Sequence, residues 1–185
     1  MKSISGVVLA GGLSSRMQQD KRFLEYNGKT FLDTASSLLH PYCDNVFLSL
    51  ASPPAFNTTL KVIADEFQNA GAISGILSCL NGIESDYILF IPVDMPLLKR
   101  HLIENLIVNI RGNGIKYEDY VFPFIIKNNV SVKIILQDLI KNNQFSIKNF
   151  LSAIDSLKLL INEEDKKYLE NINYYEQFLG LTNAK

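Results

Sequence analysis

The sequence predicts an α/β fold with a mostly parallel central sheet and helices on both faces. Short apolar, branched runs alternate with longer stretches whose apolar residues recur at helical spacing, the pattern of a parallel sheet flanked by helices. The 185 residues, 47% of them hydrophobic and 20% charged, suffice for a core that needs no disulfide or metal. The chain contains no internal repeat, low-complexity tract or linker, so we expect a single domain over residues 1–185.

The N-terminal half carries the clearest signals. Branched apolar runs predict strands, and apolar residues at i, i+3 and i+4 predict helices. His40-Pro41 should end the first helix, because the residue before a proline disfavours helical geometry. In order, the predicted elements are a strand over Ile4–Leu9, a loop from Gly11 to about Gly28, a helix over Thr30–Leu39, strands over Asn45–Leu50 and Leu60–Ile63, a helix over Ile73–Leu80, and a strongly apolar strand over Asp86–Pro92.

The C-terminal half is read by the same criteria. A turn of the form Pro-x-Asp-x-Pro follows the apolar strand, and a polar stretch rich in Gly and Asn interrupts the pattern after residue 110. The predicted elements are a helix over Lys99–Ile110, a strand over Tyr120–Phe124, helices over Ser131–Lys141 and Ser146–Leu151, a strand over Leu157–Ile161, and a terminal helix after Asn171-Ile172-Asn173.

Charge and composition exclude several classes of protein. A net charge of -1 and a pI near 6.1 argue against affinity for nucleic-acid phosphates. No apolar run reaches the roughly 18 residues of a membrane span, and the first apolar run ends in a glycine turn, unlike a secretory signal. Cys43 and Cys79 lack CxxC spacing and are expected to be reduced, buried thiols. We therefore expect a cytoplasmic protein without nucleic-acid or membrane partners.

The loop after the first strand is suited to polyphosphate. Gly11 and Gly12 lack Cβ atoms, so their backbone can approach a ligand closely and adopt positive φ, directing N–H groups at anionic oxygens. Ser14 adds a hydroxyl donor. Arg16 offers a planar fork for two phosphate oxygens, and Lys21 offers a compact charge for an α-phosphate under attack. The spacing matches neither a Walker A loop nor a GxGxxG fingerprint, and glycine spacing alone is also compatible with a plain turn.

The complete segment is more specific. LAGGLSSRM followed by DK resembles the signature LAGGxSxRMGxDK of the molybdenum cofactor guanylyltransferases, the MobA family of nucleotidyltransferases. The one fixed letter that differs is the glycine after Met17, where Gln18 stands. The resemblance implies a three-layer Rossmann-like nucleotidyltransferase fold. It also implies that this loop binds the nucleotide through Leu9, Ala10, Gly11, Gly12, Ser14 and Lys21, with Arg16 and Lys21 taking part in catalysis.

A second match follows the predicted strand Leu60–Ile63. Asp65, Gly71 and Ser74-Gly75-Ile76 resemble an acidic residue and a G-x-x-x-G-I helix start in that family. The match implies that Asp65 and Gly75 bind the guanine nucleotide. A carboxylate can accept the N1–H and N2–H₂ protons of guanine, a pairing that adenine cannot offer. The alternative is that Asp65 only caps a helix or lies in a loop.

Two further matches concern the metal and the C-terminus. ILFIPVDMPLL resembles the family's strand with its Pro-x-Asp-x-Pro turn, which implies that Asp94 holds Mg²⁺ and takes part in catalysis. The alternative is that Asp94 is only a turn residue before a proline. Asn171-Ile172-Asn173 resembles a C-terminal NxN segment that approaches the metal or substrate. Asn171 and Asn173, at i and i+2 of an extended segment, face the same side and could reach one site; a helix N-cap is the alternative.

Together the matches imply a Mg²⁺-dependent transfer of GMP from GTP to molybdopterin bearing molybdenum, with release of pyrophosphate. A phosphate acceptor is already ionised near pH 7, so no protein base is required. They also imply transient contacts with proteins that deliver molybdopterin or receive the product. Two alternatives stay open: a CTP-dependent molybdopterin or sugar-phosphate nucleotidyltransferase, and a non-catalytic nucleotide-binding relative.

Overall fold

A computed structural model describes residues 2–11, 19–66 and 71–183 of the chain. The described strands are β1 (Ile4–Leu9), β2 (Glu25–Tyr26), β3 (Lys29–Thr30), β4 (Asn45–Leu50), β5 (Lys61–Ala64), β6 (Tyr87–Pro92), β7 (Gly114–Tyr117), β8 (Phe124–Lys127) and β9 (Leu157–Leu159). The described α-helices are α1 (Phe31–Leu39), α2 (Ala72–Gly82), α3 (Arg100–Val108), α4 (Val130–Lys141), α5 (Ile147–Ala153) and α6 (Tyr175–Asn183). Two 3₁₀ helices cover Lys21–Phe23 and Glu163–Leu169.

Within the described ranges, seven strands form one sheet in the order β5-β4-β1-β6-β8-β7-β9. β1 pairs in parallel with β4 and β6, and β4 with β5. β8 is antiparallel to both of its neighbours, whereas β7 and β9 are parallel. All strands except β8 therefore point the same way, and their carboxyl ends meet at one edge of the sheet.

Two apolar clusters lie on opposite faces of this sheet. One contains buried residues of α1 and α3 together with Leu169 and Ile172, and the other contains buried residues of α2, α4 and α5. Burial of apolar surface on both faces is the main stabilising contribution, and β1 and β6, in the middle of the sheet, are buried over their whole length. The α/β fold with helices on both faces, in three layers, is confirmed.

Local signals in the sequence account for several element boundaries. The side chains of Thr30, Asn129 and Ser146 accept hydrogen bonds from backbone N–H groups in the first turns of α1, α4 and α5, which is the standard N-cap interaction. The β2–β3 hairpin turns at Asn27 and Gly28, both at positive φ. Asn-Gly is the preferred pair for such a turn, although the sequence analysis placed this hairpin inside a loop.

The predicted strand over Tyr120–Phe124 is wrong. Pairing begins at Phe124 and continues to Lys127, antiparallel to both neighbours. Pro123 has no N–H to donate to a ladder, and the carbonyl of Tyr120 accepts a hydrogen bond from Lys116 Nζ instead. β7, in the stretch expected to be a polar interruption, was missed because it is short and has a lysine on a buried face.

The two cysteines are free, with Cys79 buried and Cys43 half-buried. Burial raises the pKa of each thiol to about 12, so both stay protonated and weakly nucleophilic near neutral pH. None of the helices in the described ranges is long and apolar enough to cross a membrane.

Candidate active site

The candidate site lies at the edge where the parallel strands end. β1, β4, β5 and β6 all finish there, and ligands of open α/β sheets bind outside the carboxyl ends of their strands. Asp94 stands two residues after the end of β6. The 3₁₀ helix Lys21–Phe23 brings Lys21 to the same edge.

Four side chains form a connected polar cluster around Asp94. Lys21 Nζ donates to Asp94 Oδ2 at 2.9 Å and to Asn173 Oδ1 at 3.0 Å. Asn171 Nδ2 donates to the other oxygen of the carboxylate, Asp94 Oδ1, at 2.7 Å. The Lys21 and Asp94 side chains are 14% and 15% exposed, so solvent screens their ion pair only partly. We call these residues, Lys21, Asp94, Asn171 and Asn173, the central cluster.

Asp20 holds the short helix that carries Lys21. Its side chain accepts a hydrogen bond from the backbone N–H of Arg22 at 3.0 Å, and it also forms an ion pair with the Arg22 guanidinium. The hydrogen bond to the Arg22 side chain is the main reason why the pKa of Asp20 is lowered. The sequence analysis did not single out Asp20, although an Asp one residue before a turn is a recognisable capping signal.

Backbone contacts fix the C-terminal segment against the Asp94 turn. The N–H of Ile172 donates to the carbonyl of Asp94 at 2.8 Å. Ile172 and Leu169 are buried in the apolar cluster that also contains α1 and α3. Because Ile172 points into the core, Asn171 and Asn173 lie on the opposite side of the segment, next to Asp94 and Lys21. Both asparagines therefore contact the Lys21–Asp94 pair, and their binding of a metal or substrate stays a prediction.

The start of the glycine loop, Leu9 to Gly11, packs against β4 and the Asp94 turn. Leu9 accepts a hydrogen bond from Val93 N–H at 3.0 Å, and Ala10 N–H donates to Ser49 at 2.9 Å. A Cβ atom on Gly11 would lie 3.0 Å from the backbone nitrogen of Ala51. Gly11 is not at positive φ, contrary to one expectation, so its lack of a side chain serves close approach to β4. Gly12, Ser14 and Arg16 lie outside the described residues.

Asp65 and Gly75 meet at the same edge of the sheet. A Cβ atom on Gly75 would lie 2.9 Å from Asp65 Oδ1 and 2.7 Å from Ser49 Oγ, so only glycine allows α2 to approach the ends of β4 and β5 this closely. Asp65 Oδ1 is buried and, within the described part of the chain, receives no hydrogen bond. Burial raises the pKa of Asp65 to about 6. Ser49, which the sequence analysis did not identify, completes this contact.

The central cluster fits a divalent cation held by oxygen atoms. Among the residues that the structure describes, no group of three or more His, Cys, Asp and Glu side chains surrounds one point. Mg²⁺ is commonly held by one or two carboxylates and the phosphates of a substrate. The Lys21 ammonium donates to both Asp94 Oδ2 and Asn173 Oδ1. These two oxygens therefore already stabilise one positive charge at this position.

The Lys21–Asp94 pair and the carboxylate of Asp65 beside Gly75 all lie at the carboxyl edge of one sheet, where open α/β sheets bind their ligands. The chain belongs to the MobA-like NTP transferases, since the family model of the MobA-like NTP transferase domain matches residues 6–126. The family resemblance read from the loop is therefore confirmed, and the chain is a nucleotidyltransferase.

Individual relatives match nearly the whole chain. A molybdenum cofactor guanylyltransferase of Xanthomonas euvesicatoria pv. vesicatoria (strain 85-10) is 27% identical over 180 residues, covering 96% of this chain and 93% of that protein. A probable molybdenum cofactor guanylyltransferase of Clostridium perfringens (strain SM101 / Type A) is 28% identical over 193 residues, covering 98% and 97%. The crystal structure of molybdopterin-guanine dinucleotide biosynthesis protein A from Archaeoglobus fulgidus has the same fold, with a TM-score of 0.78, 16% identity and 97% coverage of both chains.

Proposed function

We propose that this nucleotidyltransferase moves GMP from GTP to molybdopterin bearing molybdenum, forming molybdopterin guanine dinucleotide and releasing pyrophosphate. The observation that carries the proposal is the convergence of Lys21, Asp94, Asn171 and Asn173 at the carboxyl edge of the sheet. The names of the relatives that match nearly the full chain support the choice of acceptor and nucleotide.

The reaction requires positioning and charge neutralisation more than proton transfer. An oxygen of the acceptor's terminal phosphate attacks the α-phosphorus, and the bond from that phosphorus to the β-bridging oxygen breaks, so that pyrophosphate leaves. The attacking oxygen is already ionised near pH 7, and no protein base is needed. We assign Lys21 and Arg16 to the negative charge that develops on the α-phosphate.

Asp94 is the residue we assign to Mg²⁺. When bound, Mg²⁺ would neutralise the triphosphate and favour the loss of pyrophosphate. Asn171 donates a hydrogen bond to Asp94 Oδ1, which orients the carboxylate and leaves its other oxygen toward Lys21. The starting backbone of the loop, Leu9 to Gly12, together with Ser14, is assigned to the phosphates.

We assign Asp65 to recognition of the guanine base. Its buried oxygen has no hydrogen-bond donor among the described residues, and its carboxylate lies at the end of β5 beside the first turn of α2. A buried, ionised carboxylate oxygen without a hydrogen bond is strongly stabilised when a ligand supplies N–H donors. The N1–H and N2–H₂ groups of guanine are such donors, and cytosine offers no equivalent pair on one edge.

The cellular context follows from this chemistry. We place the reaction in the cytoplasm, where thiols are kept reduced and nucleoside triphosphates are abundant. A labile pterin acceptor favours direct transfer, so we propose transient contacts with proteins that supply molybdopterin or accept the dinucleotide.

The first experiment is calorimetric titration of the parent with GTP and with CTP, in Mg²⁺ at fixed salt. Lys21→Ala and Asp94→Ala are measured beside Lys127→Ala, an exposed lysine at the end of β8. We expect selective GTP binding, weakened at least about tenfold by the two site changes, since each removes a charge-assisted contact, and unaffected by the control. Binding of CTP in preference to GTP would reassign the nucleotide, and indifference to both site changes would refute the site.

Turnover is tested with molybdopterin bearing molybdenum as the acceptor. We expect pyrophosphate release that depends on both GTP and acceptor and falls by a factor of 10² or more in Lys21→Ala, because the residue stabilises charge in the transition state. GTP binding without acceptor-dependent pyrophosphate release would contradict the proposed transfer.

A further inference from the structure

Both carboxylate oxygens of Asp94 are already occupied by donors of this chain. Oδ1 accepts from Asn171 Nδ2 at 2.7 Å, and Oδ2 accepts from Lys21 Nζ at 2.9 Å. Lys21 is further held by Asn173 Oδ1 at 3.0 Å. The ion pair is largely shielded from solvent, so it is stronger than an exposed pair and costs more to break.

These contacts differ from those that the proposed function requires, and the inference rests on that function. Lys21 is assigned to the α-phosphate, whereas Asp94 is assigned to the metal. An ammonium 2.9 Å from Asp94 Oδ2 takes up one of the directions from which a cation can approach that oxygen. Two cations this close repel each other in a partly buried site, so the observed ion pair opposes the binding of a metal to Oδ2.

We propose that Lys21 occupies the cation position of the nucleotide-free enzyme, and that the divalent cation and the triphosphate displace it together. The cation takes over Asp94 Oδ2, and the released ammonium moves to the phosphates. Asn173 lies beside the ammonium and gives it a second acceptor throughout, so Lys21 leaves Asp94 without leaving the site.

This exchange links the two ligands thermodynamically. A metal ion alone must break the ion pair and leaves the ammonium without its carboxylate. A triphosphate alone offers Lys21 a new partner but leaves Asp94 without a counter-charge. Each ligand therefore lowers the cost of binding the other, and the coupling must be equal in both directions. The enzyme binds the metal–nucleotide complex and resists either component alone.

The test is a titration of nucleotide-free protein with Mn²⁺, followed by the electron paramagnetic resonance signal of the free ion, with Mg²⁺ competition. We compare the parent with Lys21→Met, with Lys21→Arg, which keeps the charge, and with Lys99→Met. Lys99 is an exposed lysine five residues after Asp94 whose ammonium lies over the Tyr168 ring, and it controls for general loss of positive charge. We expect Lys21→Met to bind Mn²⁺ at least about tenfold more tightly than the parent, with Lys21→Arg and Lys99→Met close to the parent.

The same titration is repeated at saturating GTP. We expect GTP to tighten Mn²⁺ binding by the parent about tenfold or more, within the usual range of coupling between sites, and to do so much less in Lys21→Met. Should Lys21→Met fail to fold, as judged by circular dichroism, Lys21→Gln takes its place. Equal or weaker Mn²⁺ binding by the folded variant without nucleotide, or a parent affinity that GTP does not change, overturns the exchange. Absence of GTP binding to the parent contradicts the proposed function instead, and the nucleotide-free titration still decides whether Lys21 blocks the cation position.

Discussion

Asp65 is a carboxylate whose surroundings oppose its negative charge. Its Oδ1 atom is buried against Gly75, and burial raises its pKa from 3.8 to about 6. A carboxyl group with a raised folded-state pKa contributes stability that is present below pH 3.8 and is lost as the pH rises through about 6. Near neutral pH the ionised side chain therefore lowers the free energy of unfolding. Carboxyl groups with pKa values perturbed in this way are typical of binding and catalytic sites.

We predict that GTP affinity depends on pH through the contact between Asp65 and guanine. Protonated Asp65 cannot pair with both guanine donors, so GTP affinity should fall about tenfold as the pH is lowered from about 7.5 to 5, as expected for one group titrating near 6. Asp65→Asn should bind GTP about tenfold or more weakly at pH 7.5, since it lacks the charged acceptor, and should lose this extra pH dependence. Calorimetry of both proteins across the pH series distinguishes protonation of Asp65 from protonation of GTP, because only the parent contains the Asp65 carboxyl group.

The stability of the same variant is the control. Without nucleotide at pH 7.5, Asp65→Asn should be at least as resistant to urea as the parent, because it removes an unfavourable buried charge. A variant that is clearly less stable, or one whose GTP affinity follows the parent at every pH, would show that Asp65 has a structural role and does not contact the base.

Among the elements, β7 contains an unusual buried cation. Lys116 is only 6% exposed, and its ammonium donates to the backbone carbonyls of Tyr117, Glu118 and Tyr120. Burial is the main reason why the pKa of Lys116 is lowered. The side chain ties down the connection between β7 and β8 by donating to three of its backbone carbonyls, of which the carbonyl of Tyr117 belongs to a fully buried residue.

We predict that Lys116→Met lowers the free energy of unfolding by about 2 kcal/mol. The backbone carbonyls that lose their hydrogen-bond donor cost more than is regained when the ammonium is no longer buried. The free energy of unfolding from urea titration measures this. Lys127→Met, at an exposed position of the neighbouring strand β8, should change it by less than about 0.5 kcal/mol. Equal effects of the two substitutions would mean that the ammonium does not hold the connection.

At the scale of the whole molecule, the site joins three distant parts of the chain. Lys21 and Asp94 are 73 residues apart, Asn171 and Asp94 are 77 apart, and Lys21 and Asn173 are 152 apart. The C-terminal segment is held at the site by the hydrogen bond from Ile172 N–H to Asp94 and by the burial of Leu169 and Ile172 in the apolar cluster that also contains α1 and α3. Packing of the core and assembly of the site are therefore coupled.

We predict that Ile172→Ala lowers both stability and nucleotide binding. Ile172 is 5% exposed, and truncation of a buried isoleucine costs about 2–4 kcal/mol; it also frees Asn171 and Asn173 from their positions, which should weaken Mg²⁺-dependent GTP binding. Leu160→Ala, at a position that is 81% exposed, should change stability by less than about 0.5 kcal/mol. Urea titration and calorimetry measure the two effects. A destabilised Ile172→Ala protein with unchanged GTP binding would separate the C-terminal segment from the site.

The fold was largely predictable where one physical signal dominated. β1 and β6 are short, mostly apolar runs, so their positions and the turn carrying Asp94 followed from the sequence. β7 was missed because Lys116 interrupts the apolar pattern. β8 was placed too early, although Pro123, which cannot donate to a strand ladder, marks where the strand can begin. Among the residues that the structure brings together at the candidate site, Lys21, Asp94 and the asparagine pair were predicted by motif, whereas Asp20 and Ser49 were missed because they support their neighbours only locally.

The sequence by itself determined the chemical groups of this protein, the periodicity of its buried elements, and the family to which its loop belongs. These properties depend on residues close together in the chain, where spacing and side-chain chemistry act directly. Only the tertiary structure decided that β8 runs against its neighbours, that Lys21 rests on Asp94, and that Asn171 reaches the same carboxylate. Such pairings are set by packing between segments far apart in sequence, and no local pattern encodes them.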